Sequence, residues 1–128
     1  MTGRTSTASR ASFKSVTLYH NPRCSKSRQT LALLEKHGIR PKVIEYLVTP
    51  PTEGELKRLI ELLGITPREL VRKKEDEYKT AKLDRPNISD AEIIRALTKY
   101  PRLMERPIVV KGNKAALGRP PESVLRIL

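Results

Sequence analysis

The stretch that decides the fold is VTLYHNPRCSKSRQTLALLEKHGIRPKVIEYL, residues 16–47. It opens with a β-branched and apolar run, residues 16–19, which predicts a strand. An Asn-Pro pair then breaks the strand, and residues 25–37 have the length and leucine spacing of a helix that Gly38 ends. A second apolar run, residues 42–47, predicts another strand. Because a strand, a helix and a strand in this order pair in parallel, the stretch predicts a βαβ unit.

A helical segment is predicted after this unit, because three capping boxes follow it. In each, a hydroxyl residue stands three positions before a glutamate, and these boxes begin at Thr52, Thr66 and Ser89. Apolar residues repeat at helical spacing after the first box, and a further helix is predicted over residues 91–100. Residues 73–87 are charged and poorly periodic, so we expect a loop there.

The C-terminal part returns to β-structure. Residues 106–110 predict a strand with proline near its start, where proline is tolerated. Gly112-Asn113 is a hairpin signal, so residues 114–117 are expected to form the return strand. A final helix is predicted over residues 121–128. The chain is therefore expected to be one α/β domain, residues 15–128, with a helical insert in its middle.

Composition narrows the possible function classes. The chain has 128 residues, which fits one domain, and a single cysteine, which excludes a disulfide scaffold and a cysteine-rich zinc site. No apolar run approaches the roughly 18 residues of a membrane span, so no membrane association is expected. The formal net charge of +12 indicates an anionic partner or substrate.

The N-terminal residues 1–14 are interpreted apart from the domain. They carry Arg4, Arg10 and Lys14 and no acidic residue, so part of the positive charge lies here. A secretory signal needs an apolar core, which this segment lacks. We therefore expect a disordered basic extension on a cytoplasmic protein.

Cys24 is the candidate reactive group. It lies where a predicted helix begins, and the unpaired N–H groups and positive end of a helix dipole stabilise a thiolate there. A buried structural cysteine is the alternative, but such a residue usually has apolar neighbours. Cys24 stands between Pro22-Arg23 and Ser-Lys-Ser-Arg28, which favours a reactive thiolate.

Two other thiol chemistries fail on spacing. A dithiol redox enzyme needs a second cysteine three positions on, where Ser27 stands. A low-molecular-weight phosphatase needs an arginine six positions after the cysteine, where Thr30 stands. Because there is no second cysteine in the chain, an external thiol must resolve any adduct formed on Cys24.

The segment His20-Asn-Pro-Arg-Cys-Ser-Lys-Ser-Arg28 resembles the arsenate reductases that depend on glutaredoxin and glutathione, whose motif is His-Asn-Pro-x-Cys-x-x-Ser-Arg. Three further matches follow in order along the chain: Leu70-Val-Arg-Lys73, Glu105-Arg-Pro-Ile-Val-Val110 and Gly118-Arg-Pro-Pro-Glu122. The resemblance covers about residues 16–128. It implies a thioredoxin-like fold with a mixed central sheet, and a cis peptide bond before Pro107.

The resemblance also implies roles for individual residues. Cys24 would be the nucleophile on arsenate, His20 would influence the thiolate, and Ser27 would hydrogen-bond the sulfur. The oxyanion would be bound by Arg72, Arg106 and Arg119. Glutathione would act as co-substrate and glutaredoxin as protein partner, with no metal and no bound cofactor.

The residues support the arginine assignment separately. A tetrahedral oxyanion needs several donors, and guanidinium groups offer planar, bidentate ones. Arg72, Arg106 and Arg119 each stand at a predicted element boundary, where side chains from distant segments can converge. Arg23 and Arg28 are left open between anion steering and plain surface charge.

Other functions remain open at this point. The same motifs suit a thiol-dependent reductase of another oxyanion or of a glutathionylated substrate. Transcription regulators of the same fold that bind RNA polymerase are another alternative, although they usually carry a Cys-x-x-Cys switch. Binding of nucleic acid is not expected, because no basic patch interleaved with aromatic residues and no reader motif is present.

Overall fold

The computed structural model describes residues 15–128, and the N-terminal extension predicted for residues 1–14 lies outside the described residues. Within residues 15–128, four strands are present: β1 (Val16–His20), β2 (Lys42–Glu45), β3 (Ile108–Lys111) and β4 (Lys114–Leu117). The α-helices are α1 (Ser25–Lys36), α2 (Glu53–Leu63), α3 (Asp76–Thr80) and α4 (Asp90–Lys99). Three 3-10 segments complete the list: Pro67–Leu70, Pro101–Leu103 and Pro121–Ile127.

The sheet is mixed, with strand order β2-β1-β3-β4. β1 pairs with β2 in parallel, which confirms the βαβ prediction, and it pairs with β3 antiparallel. Because the register aligns His20 with Glu45, β1 and β2 end at the same edge of the sheet. The hairpin between β3 and β4 turns at Gly112-Asn113, as predicted, and Gly112 has a φ of 61°, which glycine adopts without strain.

Each face of the sheet is covered by its own apolar cluster. Alternate residues of a strand point to opposite faces. Leu18 and Val109 accordingly belong to the cluster that contains Leu34 of α1 and Val124 of the last 3-10 segment. Tyr19 and Ile108 belong to the cluster under the helical insert.

The three predicted capping boxes are all present and begin the segments of the insert. Thr52, Thr66 and Ser89 each accept a hydrogen bond from the backbone of the glutamate three residues on, and each glutamate bonds back. The two longer helices bury their apolar faces, as the spacing predicted. Local sequence therefore sets where the segments of the insert begin.

Three predictions are corrected by the structure. Residues 73–87 are not all loop, because α3 lies within them; acidic residues in its first turn and Lys79 in its last complement the helix dipole. With five residues, α3 is too short to show apolar periodicity. The C-terminal segment, predicted as a helix over residues 121–128, is a 3-10 helix. The strand predicted over residues 42–47 ends at Glu45, because the backbone N–H groups of Val48 and Thr49 both donate to the Glu45 carbonyl.

Candidate active site

The loop between β1 and α1 holds the single cysteine. Cys24 is the N-cap residue of α1, with extended backbone angles, and no side-chain hydrogen bond caps the helix. Its own N–H donates to the Asn21 carbonyl at 3.0 Å, and its carbonyl accepts from the Arg28 N–H at 3.0 Å. Cys24 is half-buried. The sulfur therefore stands at the helix start with its backbone fixed on both sides.

The surroundings of Cys24 lower the pKa of its thiol below the ordinary cysteine value. Burial alone raises this pKa, but the backbone N–H of Ser27, the Arg106 guanidinium and the backbone N–H of Lys26 stabilise the thiolate more strongly. The two amides belong to the first turn of α1, where N–H groups lack helical partners. Arg106 lies just before β3 and is distant in sequence from Cys24.

Ser27 connects the loop to His20. A 2.6 Å hydrogen bond joins the His20 Nδ1 to the Ser27 hydroxyl, which also accepts from the Asn21 N–H at 3.0 Å. All three residues are buried. The hydroxyl of Ser27 is thus engaged with His20 and Asn21, while its backbone N–H is the group that faces the Cys24 sulfur.

The surroundings of His20 favour its neutral imidazole form. Burial lowers its pKa, Glu45 opposes that shift and Arg28 adds to it. Arg28 itself donates to the Pro22 carbonyl at 2.9 Å and so braces the loop that carries Cys24. The Arg23 N–H donates to the Asn21 side chain at 3.0 Å.

Arg106 and Arg119 are joined directly. The Arg119 Nε donates to the Arg106 carbonyl at 2.8 Å. The peptide bonds Arg106-Pro107 and Arg119-Pro120 are both cis, and the first of these confirms the expectation from the resemblance. The two Arg-Pro motifs, which are distant in sequence from Cys24, therefore meet beside it.

Gly118 is required where these segments cross. A Cβ built on Gly118 would lie 2.5 Å from the Thr30 Oγ1 of α1 and 2.7 Å from the Pro107 Cγ. The Gly118 N–H also donates to the Pro107 carbonyl at 2.9 Å. Only a residue without a side chain allows this approach, and it fixes the position from which Arg119 starts.

Arg72 is held against the segment that leads to Arg106. The Arg72 N–H donates to the Leu103 carbonyl at 2.7 Å, and the Glu105 N–H donates to the Leu70 carbonyl at 2.8 Å. The Arg72 guanidinium lies 3.4 Å from a Glu75 carboxylate oxygen and 3.6 Å from a Glu105 carboxylate oxygen. The exchange of backbone hydrogen bonds thus places Arg72 and Arg106 on neighbouring segments.

Arg72 and Arg119 share a cavity of about 310 Å³ with Lys73, Lys74, Glu105 and Val71. Cys24 and Arg106 are not among its lining residues, so the cavity does not enclose the thiol. Its lining is mostly cationic, which suits an anion.

Sequence reasoning missed Tyr46 as part of this region. Tyr46 is fully buried, and its hydroxyl lies near the Asn21 side chain but makes no hydrogen bond of good geometry among residues 15–128. Burial raises the pKa of Tyr46 to about 12, while the charges of Arg106, Cys24 and Arg72 all act on it. Its position in the sequence could have indicated this, because Tyr46 directly follows β2 and the ends of β1 and β2 lie side by side.

Among residues 15–128, no group of three or more His, Cys, Asp or Glu side chains is arranged to hold a metal ion. In the same part of the chain, no helix has the length and apolarity needed to cross a membrane.

Comparisons with known proteins agree with the resemblance. Among curated proteins, the chain is 51% identical over 116 residues to the uncharacterized protein YfgD of Escherichia coli (strain K12), covering 90% of this chain and 98% of that protein. It is 49% identical over 115 residues to an arsenate reductase of Haemophilus influenzae, covering 89% of this chain and 99% of the relative.

A solved structure matches as well. The arsenate reductase from Vibrio cholerae superposes with a TM-score of 0.87 at 52% identity, covering 90% of this chain and 98% of that one. The mixed sheet with helices on both faces is thus the thioredoxin-like fold that the resemblance implied. The model of the ArsC family matches residues 19–127, and this chain belongs to the ArsC family.

Proposed function

We propose that this chain reduces arsenate to arsenite, with the Cys24 thiolate as nucleophile. The observation that carries the proposal is the setting of Cys24. Its sulfur receives backbone N–H groups from the first turn of α1 and the Arg106 guanidinium, and its pKa is lowered as a result. A thiolate in a cationic setting is a nucleophile suited to an anionic substrate. The names of the Haemophilus influenzae and Vibrio cholerae relatives supply the oxyanion, arsenate.

Arg72, Arg106 and Arg119 would bind the oxyanion. The Arg106 guanidinium helps to lower the pKa of the Cys24 thiol, the Arg119 Nε donates to the Arg106 carbonyl, and Arg72 lines one cavity with Arg119. Guanidinium groups match the oxygens of a tetrahedral anion and keep their charge at any physiological pH. Held in place before the substrate arrives, they would also stabilise charge as it redistributes in the transition state.

The first chemical step forms a sulfur–arsenic bond. The Cys24 thiolate attacks arsenic, one arsenic–oxygen bond breaks, and the departing hydroxide takes up a proton to leave as water. This step is a substitution at arsenic, and it changes no oxidation state. Arsenic is still in its pentavalent state in the resulting ester.

External thiols then supply the two electrons. The glutathione thiolate attacks arsenic of the adduct and displaces a second hydroxide, which leaves as water. The glutaredoxin thiol then attacks the glutathione sulfur, the bond between that sulfur and arsenic breaks with its electron pair left on arsenic, and the two thiols leave as a mixed disulfide. Water finally replaces the Cys24 sulfur on trivalent arsenic, which releases arsenite and regenerates the Cys24 thiol. This route uses no metal and no resident cofactor. It needs outside thiols because Cys24 is the single cysteine of the chain. Since these thiols stay reduced in the cytosol, the route also supports a cytoplasmic location.

His20 and Ser27 would act by holding the thiol loop. Ser27 has two contacts of different kind: its hydroxyl pairs with His20 and Asn21, and its N–H faces the sulfur. A neutral His20 keeps this arrangement without adding charge beside the thiolate. We therefore assign to His20 and Ser27 the positioning of the N–H donor.

The test is arsenite production from arsenate with glutathione and glutaredoxin. We expect turnover by the wild-type chain, none above background by Cys24→Ser, and a loss of at least about tenfold in kcat/KM by Arg72→Ala. Arg40→Ala is the matched control, because Arg40 is exposed and lies outside the site. Wild-type turnover no higher than that of Cys24→Ser would exclude arsenate reduction.

A further inference from the structure

The cavity that Arg72 and Arg119 share contains one carboxylate among its cations. Lys73 and Lys74 complete the cationic lining, and Glu105 is the acidic member. A carboxylate at close range repels an anion unless a proton lies between them. Its presence in a cavity built for an anion therefore bears on which anions are accepted.

Glu105 is fixed in place but keeps room for a further hydrogen bond. Its backbone N–H donates to the Leu70 carbonyl at 2.8 Å, which anchors the residue. Its carboxylate forms an ion pair with the Arg72 guanidinium, but the distance of 3.6 Å to the Arg72 Nη1 is longer than that of a good hydrogen bond. The side chain is 29% exposed, and an ionised carboxylate has about four acceptor positions.

We propose that Glu105 is a specificity-determining residue, which accepts a hydrogen bond from the hydroxyl of a protonated tetrahedral oxyanion bound between Arg72 and Arg119. The inference rests on the proposed function, because it concerns the same anion site. Arsenate and phosphate both carry at least one hydroxyl near neutral pH, whereas sulfate carries none. Glu105 therefore selects protonated oxyanions and rejects sulfate.

The energetic reason is the asymmetry between a satisfied and an unsatisfied polar contact. With arsenate or phosphate, the Glu105 carboxylate gains a charge-assisted hydrogen bond. With sulfate, two negative oxygens face each other with no proton between them, and such a mismatch is how a site excludes a near-isosteric ligand. We expect a preference over sulfate of roughly tenfold or more, since a lost charged contact changes binding by at least that factor.

Glu75 provides a matched control within the same ion-pair network. Its carboxylate also contacts the Arg72 guanidinium, at 3.4 Å, but Glu75 does not line the cavity. Removing the Glu75 charge changes the electrostatics of Arg72 without removing the acceptor that faces the anion. An effect exerted only through the charge of Arg72 would make Glu75→Gln and Glu105→Gln alike, whereas a direct hydrogen bond from the anion to Glu105 makes them differ.

The experiment measures protection of Cys24 from alkylation by iodoacetamide, at constant ionic strength, with arsenate, phosphate or sulfate as protecting anion. Cys24 is the single thiol, so the rate reports on this site alone. We expect arsenate and phosphate to protect the wild-type chain at concentrations about tenfold or more below that of sulfate. In Glu105→Gln this preference falls to near equality, mainly because sulfate binds better, and in Glu75→Gln it persists.

Three results would overturn the inference. The first is equal protection of the wild-type chain by sulfate and phosphate. The second is a Glu105→Gln variant that keeps the full preference for phosphate over sulfate. The third is a Glu75→Gln variant that loses this preference to the same extent as Glu105→Gln. The wild-type comparison needs no variant to fold. If arsenate and phosphate protect Cys24 better than sulfate but no arsenite is produced, arsenate reduction is excluded while the role of Glu105 is supported. A failure of the proposed function can therefore be told apart from a failure of the Glu105 inference.

Discussion

The Arg119 Nε donates a hydrogen bond to the Arg106 carbonyl at 2.8 Å, which joins two motifs that the sequence separates. Arg106 in turn stabilises the Cys24 thiolate with its guanidinium. The backbone of Arg106 therefore orients one cation while its side chain stabilises the Cys24 thiolate. Displacing the segment before β3 would disturb both functions together.

Arg106→Ala is expected to raise the pKa of the Cys24 thiol. The guanidinium favours the charged form, so its removal leaves burial opposed only by the amides of α1. The measurement is the pH dependence of Cys24 alkylation, in which the midpoint should move to higher pH. Arg40→Ala is the control, and an unchanged midpoint in Arg106→Ala would show that the helix start alone activates the thiol.

His20 is expected to make folding stability depend on pH. Because its pKa is lowered in the folded chain, the unfolded chain takes up a proton first as the pH falls. Its contribution is complete above the unfolded-state pKa of about 6.5, and it declines as the pH falls from there towards the lower folded-state pKa. Denaturant unfolding over this range should therefore show stability rising with pH.

The comparison for this prediction is His20→Asn, in which the rise between about pH 5.5 and 7 should be smaller. His37→Gln serves as the control, because His37 is exposed at the end of α1. If His20→Asn kept the full wild-type slope, the titrating group would lie elsewhere.

Gly118→Ala is expected to destabilise the fold and to disturb the site. The added Cβ would overlap Thr30 and Pro107, and such overpacking costs about 1–3 kcal/mol. Because Arg119 directly follows Gly118, the substitution should also displace Arg119. Phosphate should therefore protect Cys24 from alkylation less well in this variant than in the wild-type chain. Denaturant unfolding and the alkylation assay measure the two effects.

Gly54→Ala is the matched control for this substitution. Gly54 lies in α2, where the nearest atom to an added Cβ is the Thr52 Oγ1 at 4.0 Å. Gly54 is the second residue of α2, and alanine has a higher helix propensity than glycine, so this variant should be at least as stable as wild type. Equal effects of the two substitutions would mean that the crossing at Gly118 has room to adjust.

Tyr46→Phe is expected to leave stability unchanged or to raise it by about 1 kcal/mol. A buried hydroxyl without a partner costs about 1–3 kcal/mol relative to its hydrated state, and the Tyr46 hydroxyl has none among residues 15–128. Phenylalanine keeps the ring in the core. Thermal unfolding measures the change, and a clear loss of stability would show that the hydroxyl is in fact hydrogen-bonded.

The order of elements was predictable because it depends on signals between near neighbours. The three capping boxes and the Gly112-Asn113 hairpin arise from contacts within a few residues. The strands and the helix of the βαβ unit are each marked by a local residue pattern, and the structure has all of these elements. The helix α3 was missed because five residues give no periodicity. The role of Ser27 was only partly predicted, since its hydroxyl pairs with His20 and Asn21.

The sequence by itself determined that Cys24 is a solitary thiol at a helix start, because helix amides and neighbouring residues are local properties. Only the tertiary structure decided which distant groups meet it. Arg106 reaches the thiol because β3 pairs with β1, and Gly118 lets the next Arg-Pro segment pack against Thr30. Glu105 lies beside Arg72 because backbone hydrogen bonds join their segments. Such contacts depend on the packing of the whole domain, which no short stretch of sequence encodes.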